Sequence, residues 1–500
     1  MNYQLQRFIE DQATRTVRKY QLQLYRRRRD RIKLEKRTGK KPKLPAPNSL
    51  PRWKLDQQFN PFYVRSKLGS LSHAIEAAIK AKSYQPRPSL NISIPKDGGG
   101  RRRISIYTVP DAAVGTWLHH RLHNRNSALL SDSAFGYRSD KNANDAIRCV
   151  ADAVSGASRL FIVEYDFARF FDSVNHAYLL GILKKHFQVR ADEMAALKAL
   201  LSGAFGDEKG HKKRVFTHRQ TGIPQGNTIS LFLANAVCYE LDETLDSLGV
   251  VFARYADDIV VVAKTYLKAC GAANCILKWS AESRVAINHN KSDGVSLLIP
   301  EGSGEIRSKN SLVFLGCEIS SSRICPAAKR ITRLKQKIAR IVFQHLIQAP
   351  KKRTFSKKRI QADVDWDLVT CVNDIRKILY GRLTEKEITD GLAGAAPLKA
   401  VRSHMSGFAM VDTPDRFREL DGWLVGVLAR AYAMRASLAK ALGAKPLKLG
   451  RRGIIKGDWY KFTKFQQETH LPSSFRVWLY LRKYYRTRGI RALPAPSYGY

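Results

Sequence analysis

Residues 252–262 place two adjacent carboxylates, Asp257 and Asp258, at a bend between two short apolar runs rich in β-branched side chains. Each flank has the length and composition of a buried strand, so the spacing predicts a strand–turn–strand hairpin. Two acids in an apolar surround are costly unless a positive partner meets them. A divalent cation is the simplest such partner. An exposed turn that merely carries two acids is the alternative, and Tyr255-Ala256-Asp257-Asp258 alone does not decide between them.

Charge narrows the partners. The chain has 500 residues, with 87 Lys and Arg against 43 Asp and Glu, a formal balance of +44. Such an excess fits a polyanion. Nucleic acid suits it better than an anionic membrane, because long basic amphipathic anchors are not evident beyond the N-terminal residues. The length allows about two to four domains with a sizeable core. No apolar run is long enough to span a bilayer and no signal peptide opens the chain, so a soluble, cytoplasmic protein without a membrane partner is expected. The seven cysteines are scattered, with no Cys-x-x-Cys, which disfavours a disulfide framework or a zinc site.

Taken in order, residues 1–50 read as a basic extension and linker, helical in part. Arg26, Arg27, Arg28 and Arg29 stand in a row ahead of further cations; such a run suits an RNA backbone or a solvated tail. Residues 55–85 are expected to be helical. Over 92–106 two alternating strands flank the tip Gly98-Gly99-Gly100, with Lys96, Arg101, Arg102 and Arg103 beside it. A hairpin of this kind can close over a triphosphate, or be an ordinary basic hairpin. It is not a Walker loop, since no Gly-Lys-Ser/Thr opens a helix.

Residues 159–166 form a predicted strand that ends on Asp166. An acid there can face the acids of a neighbouring strand, or cap the following turn. Residues 209–219 read as a cationic loop. Gly222-Ile223-Pro224-Gln225-Gly226 then sets a turn ahead of an apolar helix predicted over 231–248, and aims Gln225 at that junction. From about residue 327 the chain turns mostly helical, basic and aromatic. Trp423, Tyr432, Trp459, Tyr460, Phe462, Phe465, Phe475, Trp478, Tyr480, Tyr484 and Tyr485 suit either a helical core or an RNA surface.

The order and spacing of these blocks resemble reverse transcriptases, and among them the bacterial group related to group II intron enzymes. Asp166 with Phe171 is similar to the first palm motif, Pro224-Gln225-Gly226 to the second, and Tyr255-Ala256-Asp257-Asp258 to the polymerase hairpin. Asn290-Lys291-Ser292 resembles the fourth motif and Phe314-Leu315-Gly316 the primer grip. Lys96 through Arg102 and Phe135-Gly136-Tyr137-Arg138 resemble two fingers blocks. Residue 227 is Asn and residue 231 is Leu, where intron enzymes usually carry a small residue and Pro. No Cys/His-rich endonuclease module follows the thumb region. The basic N-terminus and helical C-terminal region look more like the "unknown group" enzymes associated with antiphage defence.

The resemblance implies an α+β right-hand polymerase: fingers over 51–160, a ferredoxin-like palm of antiparallel sheet and helices over 161–325, and a helical thumb and RNA-binding region over 326–500. It implies RNA-directed DNA synthesis from dNTPs on a dedicated noncoding RNA. It also implies two Mg²⁺ ions, with Mn²⁺ as a substitute, held by Asp166, Asp257 and Asp258 and by the Phe167 carbonyl. Two dications keep three neighbouring carboxylates ionised that would otherwise raise one another's pKa. On the same resemblance Lys96 and Arg102 meet the triphosphate, Phe171 lies under the sugar and excludes a 2′-OH, Gln225 orients sugar or base, and Lys291 is an acid for the pyrophosphate. Retron-type or intron-type synthesis, template-light or homopolymer synthesis, and an RNA-binding maturase or chaperone are the alternatives. Tyr498 and Tyr500 are candidate protein primers, set against an ordinary exposed terminus. An RNA-linked homo-oligomer is a further expectation.

Overall fold

The structure is a computed structural model that describes residues 3–40, 49–95, 100–290, 292–299, 307–360, 364–457 and 470–493. Lys96, Lys291, Tyr498 and Tyr500 lie outside the described residues, as do Trp459, Tyr460, Phe462 and Phe465. The fold class is α+β, as expected, and the chain divides into two units. The first comprises residues 1–27, 45–138 and 160–297; the second comprises 28–44, 139–159 and 298–500.

Strands of the first unit are β1 (Ser89–Pro95), β2 (Arg101–Ile106), β3 (Leu160–Tyr165), β4 (Ala204–Gly206), β5 (Thr217–His218), β6 (Val251–Tyr255), β7 (Asp258–Ala263) and β8 (Gly294–Leu298). One sheet runs in the order β2-β1-β4-β5, and in the other β6, β7, β3 and β8 lie side by side. Leu160 to Val163 in β3 and Ile259 to Ala263 in β7 are buried without a break. Continuous apolar strands of this kind are covered on both faces. The helix Tyr266–Ser283 packs on β3 and β7 and buries Ala269, Ala272, Ala273, Ile276 and Trp279.

Three elements differ from the sequence reading. The N-terminal residues form one helix, Tyr3–Thr38. In the first unit it buries Leu5, Ile9, Ala13 and Val17, four residues apart on one face, and Phe8 meets the His120 ring at 5.7 Å. In the second unit its Lys33 Nζ donates to Asp374 at 3.0 Å, and its Arg37 donates to the Gln344 carbonyl at 2.6 Å. Within 209–219 a short helix, Glu208–Lys213, forms because Asp207 caps it by accepting from the Gly210 N–H at 2.7 Å. The helix expected over 231–248 is two, Ile229–Ala236 and Tyr239–Ser247. At the break the Val237 carbonyl accepts the Trp279 indole N–H at 3.0 Å, and a side chain that inserts into a helical ladder in this way interrupts it.

The second unit carries β9 (Ser308–Lys309), β10 (Leu312–Phe314), β11 (Cys317–Ile319) and β12 (Ile324–Pro326), the last three an antiparallel meander, and then mostly helices. The helix Asp415–Ala441 buries Phe417, Leu420, Leu424, Leu428, Tyr432, Arg435 and Ala439 at three- and four-residue steps. Arg435 sits in that apolar stripe because Asp365 and Asp367 meet its guanidinium at 2.7 and 2.9 Å. Tyr432, Trp478, Tyr480 and Tyr484 are buried, so these rings belong to the core. Among the described residues no helix is long and apolar enough to cross a membrane.

In the first unit, Glu193 ties the helices Val109–Asn126 and Ala191–Leu201 together. Its buried carboxylate accepts from Arg121 Nε at 2.7 Å, Arg125 Nη1 at 2.9 Å and the Arg190 N–H at 3.0 Å. Burial pushes its pKa up, but the guanidinium groups and the amide outweigh burial and bring it to about 2. A carboxylate depressed in the folded state contributes stability that is full above its unfolded value and is lost as pH falls through the folded value. Glu193→Gln is therefore expected to lower the unfolding free energy by about 3 kcal/mol at neutral pH. Urea melts should also show the variant losing less stability than wild type between about pH 5 and pH 2. Identical pH slopes in the two proteins would remove this role for Glu193.

Candidate active site

Tyr255 pairs with Asp258 across β6 and β7, which leaves Ala256 and Asp257 as the two residues of the turn. Ala256 has φ +61°. A left-handed alanine costs roughly 1–2 kcal/mol, so the surroundings must hold it there. Arg254, 0% exposed, does much of the holding. Its guanidinium donates to both Asp242 oxygens at 2.7 and 2.5 Å, to Asn235 Oδ1 at 3.3 Å and to the Ala256 carbonyl at 3.2 Å. Burial works against the charge on Arg254, but the Asp242 carboxylate outweighs it and raises its pKa above the ordinary value. Burial in turn pushes the Asp242 carboxyl up, opposed by Arg254.

A second clamp comes from residues 131–138. The Arg254 N–H donates to the Ser133 carbonyl at 2.9 Å and the Phe135 N–H to the Arg254 carbonyl at 2.8 Å. Asn235 Nδ2 donates to the Gly136 carbonyl at 2.9 Å. A Cβ on Gly136 would stand 2.3 Å from the Ala256 nitrogen, so glycine is required for this approach.

The register of β3 and β7 pairs Glu164 with Val260 and Tyr165 with Ile259. Asp166 follows Tyr165 and Asp258 precedes Ile259, so each acid adjoins the last pair of this ladder, with Asp257 in the β6–β7 turn. Asp166 and Asp257 are half-buried and Asp258 is exposed. Past β3 the backbone stays paired: the Asn288 N–H donates to the Asp166 carbonyl and the Ala168 N–H to the Ala286 carbonyl, both at 2.7 Å. Asn288 Nδ2 donates to Asp166 Oδ2 at 2.8 Å, and the Asp166 N–H donates to Ser292 Oγ at 3.0 Å. Sequence reasoning places Ser292 in the Asn290-Lys291-Ser292 block but gives neither it nor Asn288 a contact with Asp166. The available signal was their place in the apolar-to-polar stretch after Ile287, which is too general to single them out.

Phe167 is buried against Trp279, ring centres 5.0 Å apart. Arg169, at φ +52°, turns the chain into the short helix Phe170–Ser173. The Ile223 N–H donates to the Phe171 carbonyl at 2.6 Å. Gly222, at φ +85°, lies so close that a Cβ would stand 2.7 Å from that same oxygen. The Gln225 carbonyl accepts from the Ser105 N–H of β2 at 2.7 Å. The Gln225 turn thus joins the Phe171 turn to the β1–β2 hairpin, and Gln225 itself is half-buried. Asn227, unusual by family pattern, fits because helix Val109–Asn126 offers Gly115 beneath it; a Cβ there would lie 1.6 Å from Asn227 Oδ1.

Arg102 is half-buried in β2, opposite Ile94, and the outer part of this hairpin is exposed. Arg101 is tied back to its own hairpin through Ser93 at 2.7 and 3.0 Å. Phe314, Leu315 and Gly316 lie in the second unit, where Leu315 and Gly316 form the β10–β11 turn at φ +47° and +78°. Two left-handed residues are what a tight I′ hairpin demands. Arg330 donates to the Leu315 carbonyl at 3.4 Å and stands 4.3 Å over the Phe408 ring. Arg26, Arg28 and Arg29 are exposed on the N-terminal helix and Arg27 is half-buried.

Among the described residues no three His, Cys, Asp or Glu side chains form a cluster that could hold a metal ion by themselves. Magnesium takes one or two carboxylates together with water and substrate phosphates. The donors at this edge are all hard oxygens, and Asn288 fixes the Asp166 carboxylate as an outer partner fixes a ligand.

Comparison with known proteins follows the same segment. A family model described as reverse transcriptase (RNA-dependent DNA polymerase) matches residues 94–319. An uncharacterized 91 kDa protein in the cob intron of Schizosaccharomyces pombe is 25% identical over 175 residues, 35% of this chain and 21% of that protein. The group II intron-encoded protein LtrA of Lactococcus lactis is 25% identical over 178 residues, 35% of this chain and 28% of that protein. The chain thus aligns with less than a third of the length of either relative. Telomerase from Candida tropicalis, solved with a fragment of telomeric RNA, shares a TM-score of 0.38 at 13% identity, covering 83% of this chain and 68% of that one. Residues 94–319 thus match a reverse transcriptase family model, and group II intron-encoded proteins are among the relatives similar to this segment.

Proposed function

We propose that this chain is an RNA-directed DNA polymerase that copies a dedicated noncoding RNA from dNTPs as part of a defence against phage. One observation supports the polymerase reading: the last pair of the β3–β7 ladder, Tyr165 with Ile259, adjoins Asp166 on one strand and Asp258 on the other, and Asp257 lies in the turn before β7. The defence assignment is supported by sequence resemblance, in which Asn227 and Leu231 depart from the intron pattern.

Asp166 and Asp257 are the residues that would hold the divalent ions, with Asp258 in support. When bound, such ions lower the pKa of the primer hydroxyl and neutralise charge on the triphosphate. The protein's own work is positional. Asn288 and Ser292 keep Asp166 in place, and Arg254 keeps the hairpin turn in its strained form. The Gln225 turn and Phe171 form the floor on which the sugar and base lie. Arg102 suits the triphosphate oxygens, since a guanidinium bonds them in pairs. The row of arginines on the N-terminal helix suits an RNA backbone.

Asp257→Asn should reduce primer extension by at least about a thousandfold, while RNA affinity by filter binding stays within about twofold. Extension at the wild-type rate would remove the assignment. Replacing Arg26, Arg27, Arg28 and Arg29 with Gln should weaken RNA binding and cut the slope of log affinity against log salt by up to about 3. An unchanged slope in binding titrations would show that RNA does not lie on this helix.

A further inference from the structure

We propose that Tyr137 is a positioning residue for Phe171 and, through it, sets the preference for deoxynucleotides over ribonucleotides. The proposal rests on the reading of Phe171 as the ring beneath the sugar. The Phe171 backbone is already fixed, by the Ile223 N–H at 2.6 Å and by Gly222 packed against its carbonyl. What remains to be set is the ring. Phe170 meets it edge-on at 5.4 Å and 82°, and Phe170 is itself buried and stacked on Trp279 at 6.5 Å. Tyr137 meets it from another element, at 6.2 Å and 73°. The Phe171 ring therefore has two aromatic walls, one from its own turn and one from residues 131–138.

Tyr137 is held in that place at a cost. Its φ is +61°, a conformation that a bulky residue rarely adopts. Strain of this kind persists only where the surroundings over-determine it. Here they do: the preceding Gly136 is pressed on the Ala256 nitrogen, and its carbonyl is bonded by Asn235. The segment that clamps the Asp257 turn thus also delivers a ring to Phe171. With the Tyr137 ring absent, Phe171 has one wall fewer and can tilt, which opens space where a 2′-OH would sit.

The test is single-nucleotide incorporation on an RNA template, with kcat/KM measured for a dNTP and for the matching rNTP. Tyr137→Gly removes the ring and relieves the backbone, because glycine adopts a positive φ without strain. Tyr137→Asn, which also tolerates that φ, is the second variant should the first fail to fold. Either is expected to lower the dNTP preference by about three- to tenfold, the size of one aromatic edge contact. Tyr137→Phe keeps the ring and is expected to stay within about twofold of wild type. Phe171→Ala should lower the preference further, and adding Tyr137→Gly to it should change nothing more, because the two act as one unit. A preference unchanged in Tyr137→Gly while Phe171→Ala lowers it overturns the proposal alone. A preference unchanged in Phe171→Ala overturns it together with the sugar-contact reading. Absence of any DNA synthesis by wild type would instead strike at the polymerase reading.

Discussion

The ladder between β3 and β7 decides where the acids lie. A slip of one residue would turn every side chain of a strand to the other face. Leu160 to Val163 and Ile259 to Ala263 are buried on both faces, and in the register they adopt Phe161 pairs with Ala263 and Tyr165 with Ile259. The ladder ends at Tyr165 and Ile259, the residues that adjoin Asp166 and Asp258.

Strain gathers where the acids lie. Tyr137, Arg169 and Ala256 are all left-handed without being glycine: Ala256 precedes Asp257, Arg169 lies two residues before Phe171, and the Tyr137 ring meets that of Phe171. Ordinary helix ends account for Arg214 and Arg284, which have the same conformation. Arg169 starts the helix Phe170–Ser173, whereas the Ala256 turn and the backbone before Tyr137 are held by tertiary bonds. The buried Arg254–Asp242 pair supports the Ala256 carbonyl, and the Ser133 to Gly136 backbone is laced onto β6. A buried ion pair is a poor source of net stability, yet breaking one side of it is costly. Its value here is that it specifies one turn geometry.

Much of this was legible in the sequence because it depends on short-range pattern. The two apolar runs around Asp257-Asp258, the strand ending on Asp166 and the turn at Gln225 all announce themselves by alternation, β-branching and Gly or Pro placement. What stayed hidden depends on distant partners. Arg254 looked like one charge in an apolar run until Asp242 appeared beside it. Asn288 and Ser292 acquire a role only when Asp166 is brought to them. Asn227 departs from the intron pattern in a way that only Gly115, on another helix, explains. The break after Ala236 needs Trp279, more than forty residues on, and the helix Glu208–Lys213 needs Asp207 as its cap.

The most direct test of the shared edge is anomalous scattering from crystals of the chain grown with primer, template, an incoming nucleotide and Mn²⁺. The account predicts a manganese peak bounded by the carboxylates of Asp166 and Asp257. An ordered hairpin with no peak there, or with manganese held by other residues, would contradict it.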